Sequence, residues 1–322
     1  MITENLTDRI LFDPIRQNCN ELYIVSGYAA PTMLSWYLKN IYGTVQCPIK
    51  IELIIGMTPY DGISVTVHNG FIQILHSELP DEVRSIQCSY VFDEPSVHAN
   101  LFIWAKDGHP EYAFTGSANF VQNSFIGNRR QEIMTECNPN DAYNFYQALT
   151  DKTIYADHAE IEEYVVIKHE HPILDKENTP INAADELEQR GYETIRLKLI
   201  TRNGEPGKHS GLNWGQREHR NPNEAYIPLP RKIAKSGFFP LDNKHFTVLT
   251  DDRHQLILRV EQQGDKAITT PARNSDLGEY FRNRMNLPNG TFINRSHLDS
   301  YGRIDVTFVK LDDETYFMDF SV

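Results

Sequence analysis

The chain lacks any long hydrophobic run. Its longest apolar stretch, near residues 51–57, is interrupted by Glu52, whereas a membrane-spanning helix needs about 20 predominantly apolar residues. The first residues contain neither the basic region nor the apolar region of a secretory signal. We therefore expect a cytoplasmic protein that does not enter a membrane.

Cysteine is scarce and is confined to the first half of the chain. The four cysteines are Cys19, Cys47, Cys88 and Cys137, and no two of them form a Cys-x-x-Cys pair. Structural zinc sites use closely spaced pairs of that kind, and disulfides are rare in the cytosol. We therefore expect reduced thiols, no bound metal and no other cofactor.

An overall surplus of positive charge, which is typical of nucleic-acid-binding proteins, is also missing. The 322 residues include 31 lysines and arginines and 44 acidic residues, which gives a net charge of −13. The net charge is −12 for residues 1–170, −3 for residues 171–190 and +2 for residues 191–322. An acidic half is thus joined to a mildly basic half, and the local field matters more to a phosphate ligand than the total does.

The first half of the chain alternates apolar strands with helical stretches, and the whole chain has no internal repeat. The length is sufficient for two domains, and the strand–helix alternation indicates an α/β layered sheet. We predict strands at residues 21–27, 50–56, 85–92, 99–104, 112–115 and 132–134, and helices at residues 31–41, 71–79 and 142–149.

The second half of the chain is rich in short alternating strands. Period-two patterns predict strands at residues 193–200, 246–250, 255–260, 304–309 and 315–320, with short helices at 231–235 and 277–282. Many short strands with turn signals favour a mainly-β barrel or pseudobarrel. Helix and strand breakers and an acidic stretch lie between the halves. We expect a domain at residues 1–165, a linker at 166–190 and a domain at 191–322.

Three short segments of the first half combine the residue types that phosphodiester cleavage requires. His98-Ala99-Asn100 is followed by Gly116-Ser117-Ala118-Asn119 and then by Glu132. Histidine can attack phosphorus and form a covalent intermediate, and the amide of Asn119 and the hydroxyl of Ser117 can donate to phosphate oxygens. Glu132 can accept a ring N–H of a histidine and fix its orientation. A second, protonated histidine would act as the general acid.

Taken singly, these residues have simpler explanations. A lone histidine beside a strand is usually structural, and Gly-Ser-Ala-Asn by itself is usually a turn. Because they occur together in this order and spacing, we interpret them as a phosphodiesterase site. No metal-nuclease pattern of the type Pro-Asp…Glu-x-Lys accompanies them.

This pattern resembles the catalytic motif of the phospholipase D superfamily over about the first 150 residues. The family's His-x-Lys corresponds to residues 98–100, its Gly-Ser-x-Asn to residues 116–119 and its downstream acid to Glu132. The opening strand at residues 23–28 also matches. The resemblance implies a phospholipase D-like fold and a reaction without metal, with His98, Asn100, Ser117, Asn119 and Glu132 as the catalytic residues.

Asn100 stands where the family has a lysine. Its amide cannot supply the positive charge, and a charge-assisted hydrogen bond is roughly twice as strong as a neutral one. Three explanations are open. A nearby Lys106, Arg129 or Arg130 substitutes; the chain cuts slowly or not at all; or the change is engineered.

The motif occurs only once, although the chemistry requires two histidines that face one phosphate. The second half has no further His-x-Lys or His-x-Asn followed by Gly-Ser-x-Asn. A twofold homodimer through the first domain, with His98 of each copy at the axis, is the economical solution.

A glycine-punctuated polar loop follows residue 200, and a second loop of similar composition covers residues 266–274. An ordinary solvated loop is the simpler explanation of such a composition. Arginine, asparagine and glutamine can read base edges, however, and lysine binds phosphates. The candidate DNA-binding residues are Arg202, Lys208, His209, Asn213, Trp214, Gln216, Arg217, His219, Arg220, Lys266, Thr269, Thr270, Arg273 and Asn274.

Five further segments of the second half form a specific pattern, at residues 211–217, 223–228, 238–240, 277–282 and 301–303. This pattern resembles the recognition domain of NgoFVII/NgoAVII-type restriction endonucleases. That domain is similar to the plant B-three (B3) DNA-binding pseudobarrel, in which two loop arms embrace the major groove. The resemblance places the first arm at residues 208–220 and the second at residues 266–274.

With both resemblances, nearly the whole chain is similar in organisation to the metal-independent restriction enzyme BfiI. The implied activity is site-specific cleavage of double-stranded DNA in a bacterial restriction–modification system, through a covalent phosphohistidine. Some relatives need a separate ATPase or helicase-like subunit, so such a subunit is a possible partner. ATP would be used only by that subunit and would not bind to this chain. The alternative is a sequence-specific DNA-binding protein with a silent nuclease half. A lipid phosphodiesterase is less consistent with the absence of an apolar membrane-facing stretch.

Overall fold

The computed structural model describes residues 1–127, 130–171 and 183–322. The chain divides into two compact units, Met1–Glu170 and His171–Val322. Part of the linker predicted at residues 166–190 lies outside the described residues.

The first unit is built on a seven-stranded sheet in the order β7-β6-β5-β1-β2-β4-β8. The neighbours β1, β2 and β4 are parallel, and the remaining pairs are antiparallel. The strands are β1 (Glu21–Ser26), β2 (Ile49–Ile55), β4 (Val83–Val91), β5 (Leu101–Lys106), β6 (His109–Gly116), β7 (Met134–Glu136) and β8 (Thr153–Tyr155), with a small separate pair β3 (Ile63–Ser64) and β9 (Ile167–Lys168).

Helices connect and cover these strands. They are α1 (Asp13–Arg16), which continues a π-helical turn at Thr7–Phe12, α2 (Pro31–Asn40), α3 (Thr58–Asp61), α4 (Val65–Leu75), α5 (Gln122–Phe125), α6 (Pro139–Thr150) and α7 (Ile161–Tyr164). Two boundaries differ from the predicted ones because of side-chain caps. The hydroxyl of Ser64 accepts from the backbone N–H of Val67, so α4 begins well before residue 71. Asn138 caps α6 in the same way, with Pro139 at the first helical position.

The sheet is buried on both faces, which explains why its central strands are continuous apolar runs. Tyr23 and Val25 of β1 pack with α6 on one side. On the other side the fully buried Trp104 donates its ring N–H to the carbonyl of Ile10 at 2.7 Å. This packing fixes the ends of the strands, from which the candidate catalytic residues emerge.

The second unit is a curved seven-stranded sheet in the order β10-β15-β16-β12-β13-β14-β11. Its two edge strands, β10 and β11, contact each other, so the sheet forms a nearly closed barrel. The strands are β10 (Thr194–Lys198), β11 (Ile227–Pro228), β12 (His245–Thr250), β13 (Gln255–Glu261), β14 (Ala267–Thr269), β15 (Asp305–Lys310) and β16 (Thr315–Asp319), and the helices are α8 (Ala183–Gln189), α9 (Arg231–Ala234), α10 (Ser275–Arg284) and α11 (Arg295–Tyr301). The α/β sheet and the mainly-β barrel predicted from the sequence are both confirmed.

Helix α8 lies inside the segment predicted as a linker. Asp185 and Glu188 are exposed, but Ala184 and Leu187 are buried against Val309 and Phe317 of the barrel. The apolar pattern of α8 is too short to predict a helix from the sequence, because the surrounding residues are mostly charged or polar. The barrel interior is filled by aromatic rings, among them Phe239, which stacks on Phe246 with ring centroids 5.3 Å apart.

Candidate active site and DNA-binding surface

One edge of the first sheet brings the predicted catalytic segments together. Val25 pairs with Leu101, and Leu101 pairs with Thr115, so the end of β1 lies beside the start of β5 and the end of β6. Gly116 pairs with Met134 at the start of β7. Residues 98–100, 116–119 and 132 therefore emerge at the same edge, although up to 34 positions separate them in sequence.

His98 is exposed at this edge, and its position is fixed by the backbone. The N–H of Val97 donates to the carbonyl of Gly56 at 2.9 Å, which ties the segment to the end of β2. A Cβ at position 56 would lie 2.0 Å from the carbonyl oxygen of Val97, so only glycine allows this approach. The ring of His98 makes an edge contact with Tyr28, with centroids 5.9 Å apart.

Tyr28, which sequence reasoning included only in the opening strand, is thus part of the site. Its hydroxyl donates to the carboxylate of Asp61. This hydrogen bond raises the pKa of Tyr28, so the hydroxyl stays protonated at neutral pH. The ring of Tyr28 is 42% exposed and lies beside the histidine that would meet a phosphate. No spacing rule in the sequence connects residue 61 to this edge.

Asn100 does not project into solvent. Its side chain is 3% exposed, and its Oδ1 accepts from the backbone N–H of Gly27 at 3.2 Å and lies 3.0 Å from the hydroxyl of Ser26. Its Nδ2 lies within hydrogen-bond distance of the carbonyls of Gly116 and Ser117, at 3.4 and 3.1 Å. The amide therefore joins the end of β1 to the end of β6, and all its polar atoms have partners inside the protein.

Asn119 is oriented by the same turn. Its Oδ1 accepts from the backbone N–H of Tyr28 at 3.0 Å. The two asparagines thus hold two successive backbone N–H groups, those of Gly27 and Tyr28. Asn119 is half-buried, and its Nδ2 forms no hydrogen bond with the residues that the structure describes, so this atom is left to donate to a ligand.

Ser117 and Glu132 form a third part of the network. The hydroxyl of Ser117 donates to Glu132 and accepts from the backbone N–H of Ile133 at 3.0 Å. The other carboxylate oxygen of Glu132 accepts from Ser124 at 2.8 Å. Within the described residues Glu132 is therefore held by two hydroxyls and not by His98. Ser124 is a further residue of the site that the motif did not indicate.

The structure limits which cation could replace the family lysine. Lys106 is at the opposite end of β5 from Asn100, about 20 Å away at roughly 3.3 Å per residue, so it cannot substitute. Arg129 lies outside the described residues. Arg130 is exposed and two positions before Glu132, and it remains the candidate.

The described residues contain no group of three or more His, Cys, Asp or Glu side chains that could hold a metal ion. Burial raises the pKa of the Cys19 thiol to about 11, so this thiol is protonated at neutral pH. No helix in the described ranges is long and apolar enough to cross a membrane.

In the second unit twelve of the fourteen candidate DNA-binding residues fall into three groups, and the other two, His209 and Trp214, contact Arg217. The first group is buried. Asn213 is fully buried, Thr269 is 5% exposed and Thr270 is 4% exposed. The hydroxyl of Thr269 donates to Glu261 at 3.1 Å, and that of Thr270 donates to the carbonyl of Arg273. All three are predicted from the sequence to bind DNA, and in the structure strand β14 and the loop packing enclose their side chains.

The second group is partly committed to contacts inside the protein. Three of its four members lie in the loop at residues 199–226, which connects β10 to β11. This loop includes the arm expected at residues 208–220, and the whole loop is called the first arm below. The guanidinium groups of Arg217 and Arg220 lie 4.2 and 4.7 Å from the ring centre of Trp214. Arg217 also donates to the carbonyl of His209 at 2.6 Å, and Arg220 pairs with Glu224 at 2.5 Å. Stacking on an aromatic ring pre-organises a guanidinium group for recognition.

Two further candidates belong to this group. Gln216 donates through Nε2 to the carbonyls of Pro222 and Gly290, both at 3.0 Å. Arg273, in the second arm, donates to Asp276 at 3.0 Å. The third group is exposed and has no hydrogen bond or ion pair from its side chain among the described residues. Its members are Arg202, Lys208, His219, Lys266 and Asn274.

A buried arginine supports the first arm. Arg282 of α10 is fully buried, and it donates to the carbonyls of Thr291 at 2.9 Å, Gly278 at 3.1 Å, Pro222 at 3.2 Å and Leu212 at 3.3 Å. Burial lowers the pKa of Arg282, but the guanidinium group remains charged at neutral pH.

Gly278, one turn before Arg282, is required for the same packing. A Cβ there would lie 1.7 Å from the carbonyl oxygen of Asn223 in the first arm. The sequence predicts a short helix at residues 277–282, and the resemblance includes the same segment, but neither indicates a role in supporting the loop. In the structure, these residues form the platform on which the first arm rests.

Comparison with known families agrees with this architecture. A family model of the N-terminal phospholipase D domain of NgoFVII restriction endonuclease matches residues 4–163, and a model of the C-terminal B3-like DNA-binding domain matches residues 187–312. The chain belongs to the NgoFVII restriction endonuclease family. A phospholipase D-like nuclease domain is therefore joined to a B3-like DNA-binding domain, as the sequence motifs predicted.

Solved structures give weaker similarities. NucT from Helicobacter pylori is 15% identical with a TM-score of 0.32, and the match covers 48% of this chain and 96% of NucT. Polyphosphate kinase from Porphyromonas gingivalis is 13% identical with a TM-score of 0.33, over 59% of this chain and 28% of the kinase. These TM-scores are too low to support an argument. No curated protein matches the chain.

Proposed function

We propose that this chain is a site-specific, metal-independent DNA endonuclease of a bacterial restriction–modification system. The observation that carries the proposal is the exposed His98 at a sheet edge, beside Asn119 with its Nδ2 left to donate and the Ser117–Glu132 pair. Because the family's second domain binds DNA, the phosphodiester that meets this edge belongs to DNA.

The first step is attack of a ring nitrogen of His98 on the DNA phosphorus. A P–N bond forms, the P–O bond to the leaving strand breaks, and the leaving oxygen takes a proton from His98 of a second copy. Water then attacks the phosphohistidine, and the second histidine takes its proton, so the P–N bond breaks and His98 is regenerated. Neither step needs a metal ion.

The neighbours of His98 have distinct tasks in this scheme. The Nδ2 of Asn119 donates to a non-bridging oxygen as charge develops there. Glu132, whose oxygens keep lone pairs beyond the bonds from Ser117 and Ser124, accepts a ring N–H of a catalytic histidine. Arg130 is the candidate cation.

A homodimer through the first unit is part of this proposal, because one chain offers only one such motif. Sedimentation, which measures the oligomeric state in solution, tests for this homodimer. A mixture of wild-type chains with His98→Ala chains adds a second test. If both histidines act on one phosphate, cleavage falls in proportion to the wild-type homodimers that remain, whereas independent sites would keep the activity of every wild-type chain.

Plasmid cleavage in EDTA, with and without a separate ATPase subunit, tests the whole proposal. We expect cleavage at defined sites and a labelled covalent intermediate that acid hydrolyses and alkali preserves. The comparison with and without the ATPase subunit shows whether that subunit is a required partner.

The second candidate function is a sequence-specific DNA-binding protein with a silent nuclease half. It is favoured by Asn100, whose amide is buried and fully bonded where the family has a lysine. Tight site-specific binding without cleavage in any of these conditions would support it over the endonuclease.

A further inference from the structure

A groove of about 690 Å³ opens on the second unit between residues 201–208 and residues 292–294. Its volume is in the range of roughly 300–1,000 Å³ that is usual for small-molecule sites. The groove lies at the start of the first arm, because residues 201–208 lead from β10 into that loop. None of the catalytic residues belongs to it.

The two walls of the groove are fixed to one another. The buried Asn213 donates to the carbonyls of Gly207 at 3.0 Å and Ile293 at 2.7 Å, and accepts from the N–H of Ile293 at 2.8 Å. Arg295 donates to the carbonyl of Gly204 at 2.8 Å and pairs with Asp299. The groove is therefore preformed and does not depend on a ligand to hold it open.

The groove combines three kinds of chemistry. Phe292 is 42% exposed, an unusual state for a large aromatic ring in this unit. Arg202 and Lys208 are exposed cations that form no ion pair within the described residues, and the exposed carboxylate of Glu205 is likewise unpaired there. A flat ring stacks on bases, cations bind phosphate, and a carboxylate accepts from the exocyclic amine of a base.

We propose that this groove binds a single nucleotide swung out of the DNA helix, with its base on Phe292 and its phosphate at Arg202 and Lys208. A paired base inside a duplex cannot enter a groove of this kind, so the nucleotide must leave the stack. Contacts in a preformed pocket offset the lost stacking. The proposal rests on the proposed function only in taking DNA as the source of the nucleotide.

Calorimetric titration of the full-length chain with the four deoxynucleoside 5′-monophosphates tests the site directly. We expect weak but saturable binding that falls about tenfold in Phe292→Ala, in line with the stacking contribution of one base, and that is retained in Phe292→Tyr. Arg202→Ala should weaken the same binding. Phe145→Ala removes a ring of matched exposure, 43%, from the first unit and should leave it unchanged.

Deoxyribose 5-phosphate separates a nucleotide site from a phosphate site. We expect it to bind much more weakly than the nucleotides, and equal binding would overturn the proposal. So would the absence of nucleotide binding, or Phe292→Ala binding like the wild type. Ultraviolet cross-linking of a duplex that contains 5-iodouracil should then label Phe292 or its neighbours.

The outcomes for the two proposals are distinguishable. If the chain cuts no DNA but binds nucleotides through Phe292, the endonuclease proposal is contradicted and the nucleotide-site proposal is supported. If the chain cuts DNA and the Phe292→Ala variant binds nucleotides as well as the wild type does, the endonuclease proposal is supported and the nucleotide-site proposal is contradicted.

Discussion

The catalytic edge of the first unit and the first arm of the second unit are each organised around one buried asparagine. Asn100 joins the turn after β1 to the end of β6, and Asn213 joins the arm to residue 293. The sequence predicts Asn100 as a catalytic residue and Asn213 as a DNA-binding residue. In both cases the amide is used up inside the protein, so the groups left to meet DNA are the exposed neighbours.

Those neighbours differ between the two regions. Around Asn100 they are a histidine, an amide and a carboxylate, with Arg130 as the candidate cation, in a half with a net charge of −12. Around Asn213 they include the exposed Arg202 and Lys208 and the two arginines over Trp214. We infer that the first unit supplies the chemistry and depends on the second for affinity, because phosphate contacts dominate binding to DNA.

His98→Ala should have the largest effect and would confirm this division. We expect cleavage to fall by about 10,000-fold, as for a lost nucleophile, while the affinity for DNA changes little. Rates of plasmid cleavage and binding by fluorescence anisotropy measure the two quantities. His109→Ala, at the far end of β6 and also exposed, is the matched control. Equal losses of binding and cleavage would mean that the two units do not divide the work.

Asn100→Lys should destabilise the first unit without increasing the rate of cleavage. A lysine there leaves the N–H of Gly27 without its acceptor and buries an amine, at a cost of about 3 kcal/mol in the free energy of unfolding. Denaturation followed by Trp36 and Trp104 fluorescence, in a Trp214→Phe background, reports on this unit alone. Asn69→Lys, on the exposed face of α4, is the control. A large gain in cutting with no loss of stability would show that the site only lacks a cation.

The sequence was sufficient for the two architectures because alternating apolar patterns and the family motifs are local signals. The segments 98–100, 116–119 and 132 also proved to be neighbours, as their order indicated. Burial was not predictable in the same way. The residue type alone does not indicate whether an asparagine or threonine side chain faces a ligand or forms hydrogen bonds inside the protein. That Thr269 is enclosed follows only from the strand pairing of β14.

Partners that are distant in sequence were also missed. The Tyr28–Asp61 bond joins elements 33 positions apart, and Arg282 reaches back 70 positions to Leu212. Neither spacing follows a rule of helices or strands. Such contacts depend on the complete fold, so they could be found only after the elements were assembled.

Arg282→Met tests whether the buried arginine of the second unit supports the first arm in DNA binding. The change keeps the volume of the stem but removes one donor from four carbonyls, two of them in buried hydrogen bonds (Gly278 and Leu212) and two in partly buried ones (Pro222 and Thr291). We expect a loss of about 2 kcal/mol in the free energy of unfolding. Because those carbonyls include two in the first arm, affinity for DNA should fall more than about tenfold while any cleavage of bound DNA is retained. Arg284→Met removes a nearby arginine that pairs with Asp251 and not with the arm. The inference about the platform fails if both variants weaken DNA binding equally.

Lys266→Ala should have the smallest effect and separates charge from recognition. Lys266 is exposed, with no ion pair among the described residues, so it fits a phosphate contact. We expect DNA of every sequence to bind somewhat more weakly, with the slope of log affinity against log salt reduced by about one. Arg217→Ala is the counterpart, because its guanidinium group is oriented over Trp214. If Arg217 reads a base, its loss relaxes sequence preference at one position by about 1–3 kcal/mol. A uniform weakening in both variants would make the arm a phosphate clamp and leave recognition to other side chains.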